Sequence, residues 1–140
     1  MSKTLIIYTD GGARGNPGPA GIGAVAYNKK GEVVFKISQF IGYTTNNQAE
    51  YQAVLAALEK AKQIDADQVK IFMDSQLVAR QLNGEYKVKN KDLAPLFVKI
   101  YNLTFNFKSV KFIHIPREKN KEADRLANQA MDRAGGEAKK

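Results

Sequence analysis

Residues 44–84, TTNNQAEYQAVLAALEKAKQIDADQVKIFMDSQLVARQLNG, change their hydrophobic period twice, and those changes decide the fold. Tyr51, Val54, Leu55, Leu58 and Ala61 recur at helical spacing and share one face. Thr45, with Gln48 three residues later, makes a capping box at the start of that helix. Residues 69–73, VKIFM, read as a short strand. In SQLVARQLNG the pattern turns helical again, with Ser75 placed to cap the start and Gly84 to close the end. Strands alternating with helices imply parallel pairing, and so an α/β domain.

Working outward, the N-terminal side carries strand signals at residues 4–9, 22–27 and 33–41. Asn28-Lys29-Lys30-Gly31 marks a tight turn between the last two, which predicts an antiparallel hairpin and a three-stranded meander. The intervening GGARGNPGPAG, residues 11–21, is expected to be irregular because glycine and proline disfavour helix and sheet alike. On the C-terminal side, residues 92–101 read as a third helix that tolerates Pro95 in its first turn, and residues 110–115 as a last strand. Asn120 is expected to cap a final helix whose buried stripe is Ala123, Leu126, Ala127, Ala130 and Met131. Tyr8, Phe72 and Phe112 are expected in the core. Residues 1–134 are read as one domain, and residues 135–140, which lack an apolar anchor, as a disordered tail.

Composition restricts what such a domain can do. The 140 residues are 44% hydrophobic, enough for a real core, and carry 22 Lys and Arg against 14 Asp and Glu, a net charge of +8. A pI near 9.6 attracts nucleic acid or anionic membrane. The apolar runs fall far short of the roughly 20 residues that span a bilayer, and no segment resembles a secretion signal, so a soluble cytoplasmic protein is expected. With no cysteine and one histidine, thiolate zinc sites and three-histidine sites are excluded. Any metal must be held by oxygen, which favours magnesium or manganese.

Four acids stand where such a site would form. Asp10 ends TLIIYTD, Glu50 lies just inside the helix opened by TTNNQAE, Asp74 ends VKIFMD, and Asp124 lies just inside the helix opened by NKEADRLANQA. Taken singly, each has a plainer explanation as a turn residue, a cap or a complement to a helix dipole. Jointly they do not. If the first and fourth strands are parallel neighbours, Asp10 and Asp74 lie about 4.8 Å apart at the sheet edge where ligand sites gather. Four clustered carboxylates repel one another unless cations bind.

The segments YTDGGARGNPGPAGIGAV, TTNNQAEYQAVLAAL, MDSQLVARQLNGEYKVKN and HIPREKNKEADRLA together resemble the signature blocks of type 1 ribonuclease H, in order and across nearly the whole chain. The resemblance implies a five-stranded mixed sheet of order 3-2-1-4-5 flanked by helices. It also implies a monomeric, metal-dependent endonuclease in which Asp10, Glu50, Asp74 and Asp124 hold two Mg2+ ions, or Mn2+ in their place. The expected reaction is hydrolysis of the RNA strand of an RNA/DNA hybrid, leaving 5′-phosphate and 3′-hydroxyl ends. Asn16, Asn46, Asn47 and Gln76 match residues that face the hybrid's minor groove, Gly11 matches a close backbone approach to the RNA, and Thr45 and Asn90 match a pocket for a DNA phosphate.

The chain departs from that pattern in three places. A Lys-rich helix common in relatives is replaced by GEYKVKNKD, whose Lys87, Lys89 and Lys91 offer a partial substitute or a solvated edge. Tyr43 stands where an arginine often joins the phosphate pocket. The loop histidine of relatives has two candidate counterparts, His114 inside the strand-like VKFIHI and Arg117 in the loop after it. Two other functions fit the charge: a non-catalytic module for hybrid or double-stranded RNA, and a strand-transfer or junction-resolving relative. The first gains nothing from four acids facing phosphates. The second lacks support around Asn16, Asn47 and Asn90.

Overall fold

The computed structural model describes residues 3–138. In chain order these form β1 (Thr4–Ala13), β2 (Gly18–Tyr27), β3 (Val33–Thr44), α1 (Asn46–Gln63), β4 (Gln68–Met73), α2 (Gln76–Leu82), α3 (Ala94–Thr104), β5 (Ser109–His114), a 3-10 turn (Arg117–Lys119) and α4 (Lys121–Ala138). The strands make one sheet of order β3-β2-β1-β4-β5. The pairs β1–β2 and β2–β3 are antiparallel, whereas β1–β4 and β4–β5 are parallel, as the expected mixed sheet requires. None of the described helices is long and apolar enough to cross a membrane.

The local signals explain most of the boundaries. The Thr45 hydroxyl accepts from the Gln48 amide at 3.2 Å to start α1, and the Ser75 hydroxyl does the same for Val78 in α2. Gly84, at φ +78°, ends the α2 segment in a left-handed conformation. The β2–β3 turn closes through Asn28, whose side-chain oxygen accepts from Lys30 and Glu32 amides at 2.9 and 3.0 Å. Leu5 and Ile7 of β1 are buried with Tyr51, Val54 and Leu58 of α1 and Ile100 of α3, while Ala123, Ala127 and Ala130 of α4 are buried on the opposite side of the sheet.

The structure departs from four expectations. Most of GGARGNPGPAG is strand: β1 continues to Ala13 and β2 begins at Gly18, with Gly11 paired to Ile22 and Gly12 to Gly21. Composition misleads here because glycine weakens a strand yet permits another backbone to lie against it. A Cβ at Gly11 would stand 2.3 Å from the carbonyl of Ala49 in α1, and one at Gly23 would stand 2.2 Å from the carbonyl oxygen of Ala123 in α4. Tyr8, Phe72 and Phe112 are half-buried, not core, and Tyr8 stacks on Phe72 with centroids 5.0 Å apart. Asn120 precedes α4, but its side chain turns to the sheet instead of capping the helix. The disordered tail expected from residue 135 overlaps α4, whose backbone runs to Ala138; Lys139 and Lys140 lie outside the described residues.

These contacts predict a graded response to added methyl groups. Gly23→Ala should lower stability by about 1–3 kcal/mol through overpacking. Gly12→Ala, whose Cβ would meet nothing nearer than 3.8 Å, should stay within about 1 kcal/mol of the parent. Thermal unfolding followed by circular dichroism separates the two, and equal losses would contradict this account of the helix–sheet contact.

Candidate metal centre

β1 and β4 pair in parallel from Thr4↔Gln68 to Tyr8↔Phe72, so Asp10 and Asp74 both lie just past the carboxyl end of the pair. That is the edge where an α/β sheet leaves a crevice. Glu50 reaches the same edge because Gly11 has no side chain to hold off the first turns of α1. Asp124, in the first turn of α4, is carried over the sheet by the contact of Ala123 with Gly23. One carboxylate oxygen each from Asp10, Glu50 and Asp74 lies within 4.8 Å of the other two. Asp124 stands close enough to Asp10 to act on its charge, but its oxygens fall outside this three-way cluster.

The cluster forms in a poorly solvated place. Asp10 and Glu50 are 8% and 9% exposed, and Asp74 is half-buried. Burial first, and the neighbouring Asp74 second, push the Asp10 carboxyl up from 3.8 to about 8. Glu50 is also raised well above its ordinary value, by burial and then by Asp10 and Asp74. The Gly11 amide donates to Asp10 Oδ1 at 3.0 Å, which holds that carboxylate in place without neutralising it. Protons or cations must therefore supply the missing positive charge. The donors are all oxygens, and the only histidine is exposed at the end of β5, so the site fits a hard divalent cation.

The three acids line a cleft of about 370 Å³ together with Asn46, Arg14 and Arg117. Of the two candidates for the loop position, the fold brings Arg117 to the cleft and leaves His114 in β5, paired with Met73. Asn46 is fixed at the rim: its Oδ1 accepts from the Ala13 amide at 2.7 Å, and its own amide donates to Asn16 Oδ1 at 3.0 Å. Asn47, Gln76 and Asn90 are exposed, whereas Gly11 turns its bare Cα toward α1. Asn90 Oδ1 accepts from Asp92 and Leu93 amides at 2.7 and 3.3 Å, ahead of α3. No helix intervenes between α2 and α3 among the described residues, and Lys87, Lys89 and Lys91 are exposed there.

Two polar side chains of the cleft were not singled out from sequence. Arg14 lies in the segment read as irregular, and it pairs with Asp132 of α4 at 2.5 Å. Asn128 lies one helical turn after Asp124 and donates to the Asp124 carbonyl at 3.0 Å, a spacing that could have marked it.

A family model described as reverse transcriptase-like matches residues 8–130. The chain is 44% identical over 135 residues to a bifunctional protein of Mycobacterium tuberculosis, covering 96% of this chain and 37% of that protein. It is 43% identical over 127 residues to ribonuclease HI of Halobacterium salinarum, covering 91% of this chain and 64% of that one. The chain thus spans about a third to two thirds of these relatives' lengths. Among solved structures, LC11-RNase H1, isolated from compost by a metagenomic approach, was captured in complex with an RNA/DNA hybrid. It matches at 49% identity and a TM-score of 0.88, covering 93% of this chain and 98% of that one.

The raised acids set the sign of a pH effect. Between about pH 4 and pH 8 the folded, metal-free protein holds protons on Asp10 that the unfolded chain has released, so stability falls as pH rises through that window. Thermal melts in chelator should therefore show Tm falling from pH 5 to pH 8, and added Mg2+ or Mn2+ should raise Tm more at pH 8 than at pH 5. Asp10→Asn should flatten the profile and raise the metal-free Tm at pH 8 by a few degrees, about 1 kcal/mol corresponding to roughly 4 °C at this size. A Tm of Asp10→Asn below the parent at pH 8 would argue against a strained acid cluster.

Proposed function

We propose that this chain, which belongs to the type 1 ribonuclease H family, is a metal-dependent endonuclease that hydrolyses the RNA strand of RNA/DNA hybrids. The observation that carries this reading is the group of three carboxylates within 4.8 Å of one another at a cleft, in a chain of net charge +8. A module that only bound a polyanion would be weakened by every acid facing the phosphates. The hybrid bound to LC11-RNase H1 supports the same substrate class here.

Asp10, Glu50 and Asp74 would hold the cations, with Asp124 contributing from α4. Two Mg2+ ions held there, or Mn2+ in their place, would supply an activated water for in-line attack and a counter-charge for the departing 3′-oxygen, and the expected products carry 5′-phosphate and 3′-hydroxyl ends. The protein's own part is to hold the acids desolvated and to choose the strand. Neutral amides at Asn16, Asn46, Asn47 and Gln76 suit recognition of ribose 2′-hydroxyls across the minor groove. Asn46 is tied by both its side chain and its backbone, so its free amide protons point from a fixed position. The Thr45 hydroxyl accepts from the Gln48 amide and keeps its proton, while the Asn90 side-chain oxygen accepts from the Asp92 and Leu93 amides ahead of α3 and leaves its NH2 free. Both retain donors for a DNA phosphate. We place Arg117 beside the scissile phosphate as a positive edge of the cleft, and take the protein to act as a monomer in the cytoplasm.

Incubation with a hybrid labelled on the RNA strand, in Mg2+ or Mn2+, should give 5′-phosphorylated RNA fragments. Asp10→Asn and Asp74→Asn should each cut the rate by about a thousandfold or more, equivalent to several kcal/mol of lost charge stabilisation, while retaining hybrid binding. Binding without cleavage by the parent in either metal would defeat the nuclease reading. An all-DNA duplex cut at a comparable rate would defeat the 2′-hydroxyl readout.

A further inference from the structure

Asn120 lies between the 3-10 turn and α4 and is 2% exposed. An asparagine there ordinarily caps the helix with its side-chain oxygen. Here both protons of its NH2 are directed elsewhere: Nδ2 donates to the Thr9 carbonyl at 2.8 Å and to Asp74 Oδ2 at 2.8 Å. Both partners only accept, so the amide can be oriented one way. Asn120 Oδ1 faces away from them, buried and without a hydrogen-bond partner.

The same residue is fixed by its backbone. Its amide donates to the Arg117 carbonyl at 2.9 Å, and its carbonyl accepts from the Asp124 amide at 3.1 Å. One residue therefore ties together the strand end that leads into Asp10, the carboxylate of Asp74, the turn that carries Arg117 and the helix start that carries Asp124. A neutral NH2 suits this place. It satisfies a lone pair of Asp74 and stops the carboxylate from rotating, yet adds no positive charge that would compete with a cation. An aspartate would put a third acceptor against two, and a serine hydroxyl is too short to bridge both.

We propose that Asn120 is a positioning residue for the metal centre, holding Asp74 in the orientation in which it joins Asp10 and Glu50. This rests on the metal-dependent reading above. It differs from a capping role, since serine caps a helix about as well as asparagine.

The test is Asn120→Ser, assayed by calorimetric titration of the metal-free protein with Mn2+, without nucleic acid. The positioning role predicts Mn2+ binding weakened about 10- to 100-fold, the usual consequence of losing a hydrogen bond to a metal-holding side chain. It also predicts kcat on the hybrid reduced by a similar factor, with KM within about twofold. A purely capping role predicts parental Mn2+ affinity and kcat, and that result would overturn the proposal. Should Asn120→Ser not fold, the parent protein gives the answer by NMR. The Asn120 side-chain NH2 should be protected from exchange and should shift as Mg2+ is added; an unprotected or unresponsive NH2 would overturn the proposal. If the parent itself binds no Mn2+, the metal-dependent reading fails first, so the two failures are distinguishable.

Discussion

The site depends on two places where helix backbone touches sheet backbone. At Gly11 the first turns of α1 sit on β1, and at Gly23 the first turn of α4 sits on β2. Side chains at these points would push the helices outward by roughly the size of a methyl group, and Glu50 and Asp124 would move with them. Strand pairing brings Asp10 and Asp74 to one edge of the sheet, but a pair of carboxylates there is not yet a cation site. Packing at two bare positions converts sheet geometry into a converging set of oxygens.

That convergence works against folding. The apolar contacts among β1, α1, α3 and β4 stabilise the fold, and part of that stabilisation is offset by burying Asp10 and Glu50 beside Asp74. The excess positive charge of the chain does not relieve the acids: the ion pairs found among the described residues, Arg14–Asp132, Lys36–Glu122 and Arg125–Glu122, involve none of them. The protein supplies the centre with no cationic partner, so protons or cations must balance its charge. The exposed lysines before α3 are free to face a polyanion.

Much of this was legible in the sequence, for reasons that differ by residue. Helix faces and caps were readable because Thr45 and Ser75 act on amides three residues away, within the span a local pattern can see. Asp10, Glu50, Asp74 and Asp124 were readable as element-end acids, although only three of them share the tight cluster. The glycine-rich segment was misread because its composition argues against strand, and the reason for the glycines lies in helices distant in sequence. Asn120 was misread for a related reason: its type and position fit a cap, but its partners, Thr9 of β1 and Asp74 just past β4, are distant in sequence. Leu55 shows the limit of periodicity, since it falls on the apolar face of α1 but at its margin, where it is half-buried.

The centre of the sheet has a kinetic corollary. β1 is the strand that joins the antiparallel half to the parallel half, and its parallel partner β4 can reach it only after the whole of β2, β3 and α1 has been threaded past. The last piece, α4, returns from the far end of the chain to lie over β1 and β2. Contacts between such distant segments close the longest loops and form late in folding. Neither the N-terminal meander nor the β4–β5 pair by itself brings Asp10, Glu50 and Asp74 together. A chain in which β4 has not yet paired with β1 would thus carry separated acids and little affinity for divalent ions, and the onset of cation binding would report that pairing.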